Sequence, residues 1–343
     1  MASKYYFDQE AADKAVDFIQ KGCVHLKGEL AGKPLMLEKW QLEIITKLFG
    51  WKRKSDNSRK HRTLFLFLPR KNGKSTLASA ISLYLLFADG EAGAEVYAAA
   101  AERKQAGIIF DVARQMVMSC PAMLKKSQIF RDTILFKNSF YRVVSADAYS
   151  KAGFNSSGVI IDELFAQKNR DLYDILTTST GSRKQPMVIL ISTAGYEKQN
   201  TICGEVYEYA KKVKKGIIKD PTFLPVLFEA EKKDNWEDEE TWKKANPNYG
   251  ISIRQDYFKE QFKKAQQQVS YQNTFKRFHL NIWNTAESKF IFDSDFQLCQ
   301  KKKVTIEDFK GRECWAGLDL STTTDLSAFV IISKDEENDT IDV

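Results

Sequence analysis

The chain has 343 residues, 43% of them apolar, and carries 52 Lys and Arg against 45 Asp and Glu, a net charge of +7. That is enough apolar material for two domains, or for one large domain with an appendage, and no apolar run approaches the length of a membrane span. Five cysteines without a C-x-x-C pair and three widely spaced histidines argue against a zinc site or a disulfide framework, and the acidic residues of MASKYYFDQEAAD stand where a secretory signal needs an apolar stretch, so a cytosolic protein is expected.

Residues 8–23 read as an amphipathic helix with Ala11, Ala12, Ala15, Val16, Phe18 and Ile19 on one face. After a turn at 32–34, LEKWQLEIITKLFGW predicts a second helix over 38–49. Gln41 in it is either a solvent-facing residue or an amide offered to the edge of an adenine. The basic run KRKSDNSRKHR at 52–62 follows, with others at 211–215 and 301–303. Such runs are solvated faces or the footprint of a polyanion.

Next comes TLFLFLPRKNGKSTLASAISLYLL at 63–86: an apolar strand over 64–69, a polar loop over 70–73 and a helix from Ser75 with Leu77, Ala80, Ile81 and Tyr84 at helical spacing. Strand, loop and helix in that order make an anion cradle from backbone N–H groups and a helix N-terminus. Lys74 can reach the outer phosphates of a nucleotide and the Ser75 hydroxyl can hold a magnesium ion. The full phosphate-loop pattern puts its first glycine at position 68, where this chain has Leu68. A bare Gly-Lys-Ser is also compatible with a simple turn, so its context decides.

That context is alternating. AEVYAAA at 94–100 predicts a strand, 102–118 a helix, and 127–145 short strands around a turn at Lys137-Asn138. GVIIDE at 158–163 then reads as a buried parallel strand whose C-terminal end carries Asp162 and Glu163. Ligands of open α/β sheets bind at that end. There an Asp can hold magnesium and a Glu can polarise the water that attacks a γ-phosphate. An isolated VIIDE is more simply a strand end with a charged loop; downstream of a GKS helix the nucleotide reading is preferred. A further strand at 187–191 ends in Ser192-Thr193-Ala194-Gly195, small hydroxyl residues able to sense a γ-phosphate at the same edge.

Past Gly204 the charge pattern changes: 211–219 is basic, 229–240 strongly acidic and 255–280 Gln- and Lys-rich, which suggests a smaller helical subdomain. Residues 291–309 are charged and linker-like. GRECWAGLDLSTTTDLSAFVIIS then gives a strand ending at Asp319, a polar turn and a second strand over 328–333.

The ordered set LEKWQ, PRKNGKST, VYAAAAERKQA, GFNSSGVIIDEL, LISTAG, NWEDEETWKKANPNYG, FHLNIWN and AGLDLSTTTDLSAFVI resembles the large terminase subunit of tailed bacteriophages, of the HK97 type. A loop lacking its first glycine is usual in that family. The resemblance implies an α/β fold: a P-loop (ASCE-type) parallel sheet with flanking helices and a helical lid subdomain, followed by the start of an RNase H-like nuclease domain. The expected divisions are 1–204 for the ATPase domain, 205–290 for the lid and connection, 291–312 for a linker and 313–343 for the first strands of an incomplete nuclease. By position, Gln41 matches the adenine-side glutamine. Arg70 matches the loop arginine aimed at the phosphates, and Lys71, Asn72, Gly73, Lys74, Ser75 and Thr76 match the rest of the nucleotide cradle. Ser75 and Asp162 match the magnesium ligands, Glu163 the catalytic base, and residues 192–195 the segment coupling hydrolysis to DNA movement. Asp319 matches the first metal-binding aspartate of the nuclease.

The implied cofactors are ATP and Mg2+, with Mg2+ or Mn2+ for the nuclease. The implied partners are double-stranded DNA, the portal protein, the small terminase subunit and, in a docked ring, further copies of the chain, an isolated chain being monomeric and slow; the setting is the host cytoplasm, with no membrane. Arg142 and Lys151 are candidates for a charge acting on a neighbouring subunit's site. The family's nuclease needs further carboxylates, for which 320–343 offer only Asp325, Asp335, Glu336, Glu337, Asp339 and Asp342, so a fragment is expected. The competing layout is a superfamily 2 helicase or other translocase, which would need a second RecA-like domain that nothing after residue 204 suggests. A non-catalytic nucleotide-binding scaffold is hard to reconcile with Lys74, Asp162 and Glu163 together.

Overall fold

A computed structural model describes residues 3–145, 153–167, 169–196, 199–284, 298–299, 304–320, 327–335 and 340–343. The chain divides into two compact units, 1–289 and 290–343.

The first unit opens with β1 (Tyr5–Phe7) and α1 (Gln9–Gly22), whose N-cap Asp8 accepts a hydrogen bond from the Ala11 N–H. Next come α2 (Lys39–Gly50) and β2 (Trp51–Arg53), the latter pairing with β1. The main run is β3 (Thr63–Phe67), α3 (Lys74–Phe87), β4 (Glu95–Ala100), α4 (Arg103–Ser119), α5 (Pro121–Leu124), β5 (Ser127–Ile129), β6 (Thr133–Phe136) and β7 (Ser139–Ser145). It continues through β8 (Gly158–Ile161), α6 (Asp171–Thr178), β9 (Met187–Ser192), α7 (Ile202–Lys214) and β10 (Phe223–Leu227) to α8 (Glu239–Ala245), α9 (Gln255–Gln267) and α10 (Val269–Leu280).

The central sheet runs β10-β3-β9-β8-β4-β7-β6-β5, parallel from β10 to β7 and antiparallel for β6 and β5. The expected parallel sheet is therefore mixed at one edge. Its strands are apolar on both faces because helices cover both. Leu64 and Leu66 of β3, Val96 and Ala98 of β4, and Ile189 and Ile191 of β9 join the core under α1 to α4. Their neighbours Phe65, Phe67, Tyr97, Val188 and Leu190 join the opposite core under α7. Helix α3 is buried nearly all round, which fixes its N-terminus rigidly at the sheet's C-terminal edge.

Residues 223–227 fall within the stretch the sequence reads as helical lid, yet β10 pairs in parallel with β3 and forms an edge of the central sheet. Helices α8 to α10 make a core of their own around Trp242, Phe258 and Phe275. Part of the basic run 52–62 is drawn into the fold. Arg59 is 1% exposed, pairs with Asp89 and the Gln185 carbonyl, and lies over the Phe49 ring. Lys60 lies over Tyr5 and Trp51, and burial pushes the His61 imidazole down to about 4. Arg59 thus makes an internal tie between the end of α3 and the approach to β9.

The second unit is a three-stranded antiparallel sheet, β11 (Cys314–Asp319), β12 (Ala328–Asp335) and β13 (Thr340–Asp342). Asp319 ends β11 opposite Ala328. Trp315, Leu318 and Phe329 are more than half exposed, so both faces of this small sheet present apolar side chains. Asp325, Glu336, Glu337 and Asp339 lie outside the described residues.

Candidate nucleotide-binding site

Strand β9 lies between β3 and β8, so the loop after β3 and the acids after β8 flank the end of one intervening strand. Three segments thus converge: 68–76, 162–165 and 192–195.

Leu68 is fully buried and anchors the start of the loop in the core. Lys71 (φ 70°) and Gly73 (φ 78°) turn the chain. A Cβ at Gly73 would meet nothing closer than 3.6 Å, so glycine is needed there for its left-handed backbone and not for space. Lys74 starts α3, 7% exposed, with Nζ donating to the carbonyls of Leu68 (2.7 Å) and Pro69 (3.1 Å). Burial lowers its pKa to about 8, against the opposing pull of Glu163 and Asp162. Arg70 is exposed, its guanidinium 3.5 Å from the Phe278 ring centroid and its N–H bonded to the Phe278 carbonyl (3.0 Å).

Asp162 is 6% exposed and accepts from the Glu163 N–H at 3.0 Å. Burial first, and the Glu163 charge second, push its pKa up to about 7. Glu163 sits in the left-handed region (φ 48°, ψ 54°), a conformation costing on the order of 1–3 kcal/mol for a residue with a side chain. Thr193 Oγ1 donates to Glu163 Oε2 at 3.4 Å. Ser192 Oγ accepts from the Phe165 N–H at 3.1 Å, and the Ala194 N–H donates to Asn281 Oδ1 at 2.8 Å.

Gln41 is buried, and its Oε1 accepts the Glu38 N–H at 3.0 Å as half of a capping box for α2. Its amide nitrogen stands beside Gly73. Arg142 is exposed on β7, bonded to Thr133 Oγ1 (3.2 Å) and lying over Phe140. Lys151 lies outside the described residues. Asp319 belongs to the second unit, and among the described residues it is joined by no cluster of three or more metal-ligating side chains.

Asn246 and Asn248 lie in NWEDEETWKKANPNYG and Phe278 and Asn281 in FHLNIWN, with Arg277 just before it, and none of them stands out from the sequence. Arg277 stacks on Tyr196 (3.5 Å) and Phe278 (3.9 Å), next to residues 192–195. The usable signal was the density of asparagines in NPNYG and FHLNIWN, because a buried Asn is kept only where its amide is fully bonded.

The donor set fits a magnesium nucleotide: a buried ammonium, a helix N-terminus, one hydroxyl and one carboxylate. Mg2+ is held by one or two carboxylates plus phosphate oxygens and needs no all-protein cage. Ionisation gives a test. The raised Asp162 pKa contributes stability that is full below the ordinary carboxylate range and lost as pH rises through about 7. The lowered Lys74 pKa contributes stability present above its ordinary range and lost as pH falls through about 8. The nucleotide-free site is therefore least stable at pH 7–8, where both groups are charged. Magnesium-nucleotide affinity is expected to fall about tenfold from pH 6 to pH 5, as a proton competes for Asp162. Titration calorimetry across pH 5–8 checks this, and a flat profile would remove Asp162 from the metal's ligands.

An additional strand between phosphate-loop and acid strands, with a buried loop lysine and a Glu following the acidic Asp, defines a P-loop nucleotide-binding protein of the ASCE class. Residues 39–212 match the family model "Terminase large subunit, ATPase domain", and residues 217–341 match "Terminase large subunit, endonuclease domain". The chain belongs to the terminase large subunit family. It is 28% identical over 335 residues to the terminase large subunit of Enterobacteria phage HK97, covering 95% of this chain and 63% of that protein. Protein YmfN of Escherichia coli K12 is 30% identical over 172 residues, 49% of this chain and 37% of its own length. The crystal structure of the HK97 large terminase superposes with a TM-score of 0.69 at 25% identity, covering 96% of this chain and 66% of that one. The chain thus spans somewhat under two thirds of the length of these HK97 relatives.

Proposed function

We propose that this chain is the ATPase part of a viral DNA-packaging motor, coupling ATP hydrolysis to movement of double-stranded DNA into a procapsid. The observation that carries the reading is the contact of Thr193, in the coupling segment, with Glu163, beside buried Asp162 and Lys74. In this reading Lys74 and the N–H groups of 71–76 hold the polyphosphate, and Arg70 leaves the Phe278 ring to meet it. Ser75 and Asp162 would hold Mg2+, which would neutralise phosphate charge. Glu163 accepts a proton from the attacking water, and Thr193 registers the change in Glu163 and passes it along 192–195. Since the Ala194 N–H is bonded to Asn281 just past α10, that signal has a short route into the lid.

Arg142 remains the described candidate for a charge supplied to a neighbouring subunit. Portal, small subunit, a ring of copies and the host cytoplasm follow from the same reading. The second unit is read as the first strands of a nuclease with Asp319 as a metal ligand. Two-metal cleavage needs more carboxylates than Asp319. The direct test is ATP turnover with and without linear double-stranded DNA: stimulation of several-fold or more is expected, and turnover indifferent to DNA would leave a nucleotide site without a motor.

A further inference from the structure

The phosphate loop is not shaped by its own sequence alone. Lys71 is held at positive φ although it carries a side chain, and such a conformation persists only where the surroundings over-determine it. Those surroundings are a turn between α8 and α9. Ser252 Oγ donates to the Lys71 carbonyl (2.9 Å), and Asn248 Nδ2 donates to the Asn72 carbonyl (3.3 Å). The Asn248 N–H donates to Asn72 Oδ1 (3.1 Å), while Asn72 Nδ2 donates to Asn246 Oδ1 (3.0 Å).

These amides are buried: Asn72 is 0%, Asn246 2% and Asn248 4% exposed. Each end is tied down. Asn246 Nδ2 donates to the carbonyls of Trp242 (2.9 Å) and His279 (2.7 Å), in the core of α8 to α10. Trp40 Nε1 donates to Asn248 Oδ1 (2.7 Å), linking the same turn to α2. On the loop side, Asn72 Nδ2 also reaches the Pro69 carbonyl (3.3 Å), which accepts from Lys74 Nζ. The lysine's resting place and the lid's grip therefore meet on one carbonyl.

We propose that Asn246, Asn248 and Ser252 are positioning residues for the phosphate loop: they hold 70–73 in the shape that presents its backbone N–H groups to a polyphosphate. The inference rests on the nucleotide reading of this site. It makes the lid a part of the binding machinery without requiring it to touch the ligand. A shift of the 246–252 turn would change loop geometry, and a bound polyphosphate would in turn favour one lid position, since such coupling is reciprocal.

The test uses the whole chain and two readouts: titration with a fluorescent ADP, and hydrogen exchange of the 68–75 amides without nucleotide. Asn248→Ala is expected to weaken ADP about tenfold, equal to 1.4 kcal/mol, and to speed exchange in the loop. The Asn72→Ala, Asn248→Ala double variant should bind no more weakly than the worse single variant, because both changes break one network. Ser252 is exposed, so Ser252→Ala cannot unfold the lid and carries the test if Asn248→Ala does not fold; about threefold weaker binding and faster exchange are expected. Wild-type affinity and unchanged loop exchange in Ser252→Ala and in folded Asn248→Ala would overturn the proposal while leaving the nucleotide site intact. If the wild-type chain bound no ADP, the nucleotide reading would fall, and the exchange measurement alone would still decide whether the lid sets the loop.

Discussion

Glu163→Gln is expected to retain magnesium-nucleotide binding and to lower ATP turnover by about 10²–10⁴, the range that a positioned general base contributes. The amide keeps the volume of the carboxylate and can still meet Thr193 Oγ1 through its carbonyl oxygen, so the contact at 3.4 Å need not be lost. What it cannot do is take the water's proton. Glu163 keeps its left-handed backbone under this substitution, which changes only the end of the side chain. Removing a carboxylate also takes one negative charge from beside Asp162, whose pKa should drop. Turnover at the wild-type rate, with binding intact, would remove Glu163 from the chemistry and turn attention to Asp162.

Lys74→Ala should abolish nucleotide binding in the accessible range, a loss of at least about a hundredfold, because charge-assisted hydrogen bonds to phosphate contribute about 1.5–3 kcal/mol each and the ammonium can make more than one. The stability of the apo protein should be much less affected. Nζ is buried, its pKa lowered to about 8 by loss of hydration, and its partners are the Leu68 and Pro69 carbonyls. Deleting a charge held at that cost offsets part of the lost hydrogen bonding, so thermal stability should change far less than affinity. The pair of measurements separates a ligand-binding lysine from a structural one. A large fall in apo stability with nucleotide affinity preserved would show that Lys74 serves to brace the loop.

The loop, both acids and the strand ending in Ser192 were legible from the chain alone. Each depends on local chemistry: an apolar run, a Gly-Lys-Ser step, and carboxylates at a strand terminus. Family membership was legible for the same reason, as an ordered series of such short segments. Two features were legible only in part. Gln41 was placed correctly on its helix, but its carbonyl oxygen is engaged in a capping box, which depends on the fold of residues 38–41. The basic run at 52–62 reads as a solvated face or a polyanion footprint, and the burial of Arg59 was not visible because its partner Asp89 lies 30 positions away.

What only the tertiary structure decided is which distant segments close the site. Strand order is set by packing of whole layers, so nothing local tells that β9 enters between β3 and β8, or that β10 joins the sheet's edge from a stretch that reads as helical. Asn72 finds Asn246 and Asn248 across more than 170 residues, and Ala194 finds Asn281 across 87. Sequence pointed to the candidate reacting groups because their chemistry resides in single residues and short spacings. The structure determined how they are held, because a buried amide gains its stabilisation only from partners that the fold brings from elsewhere.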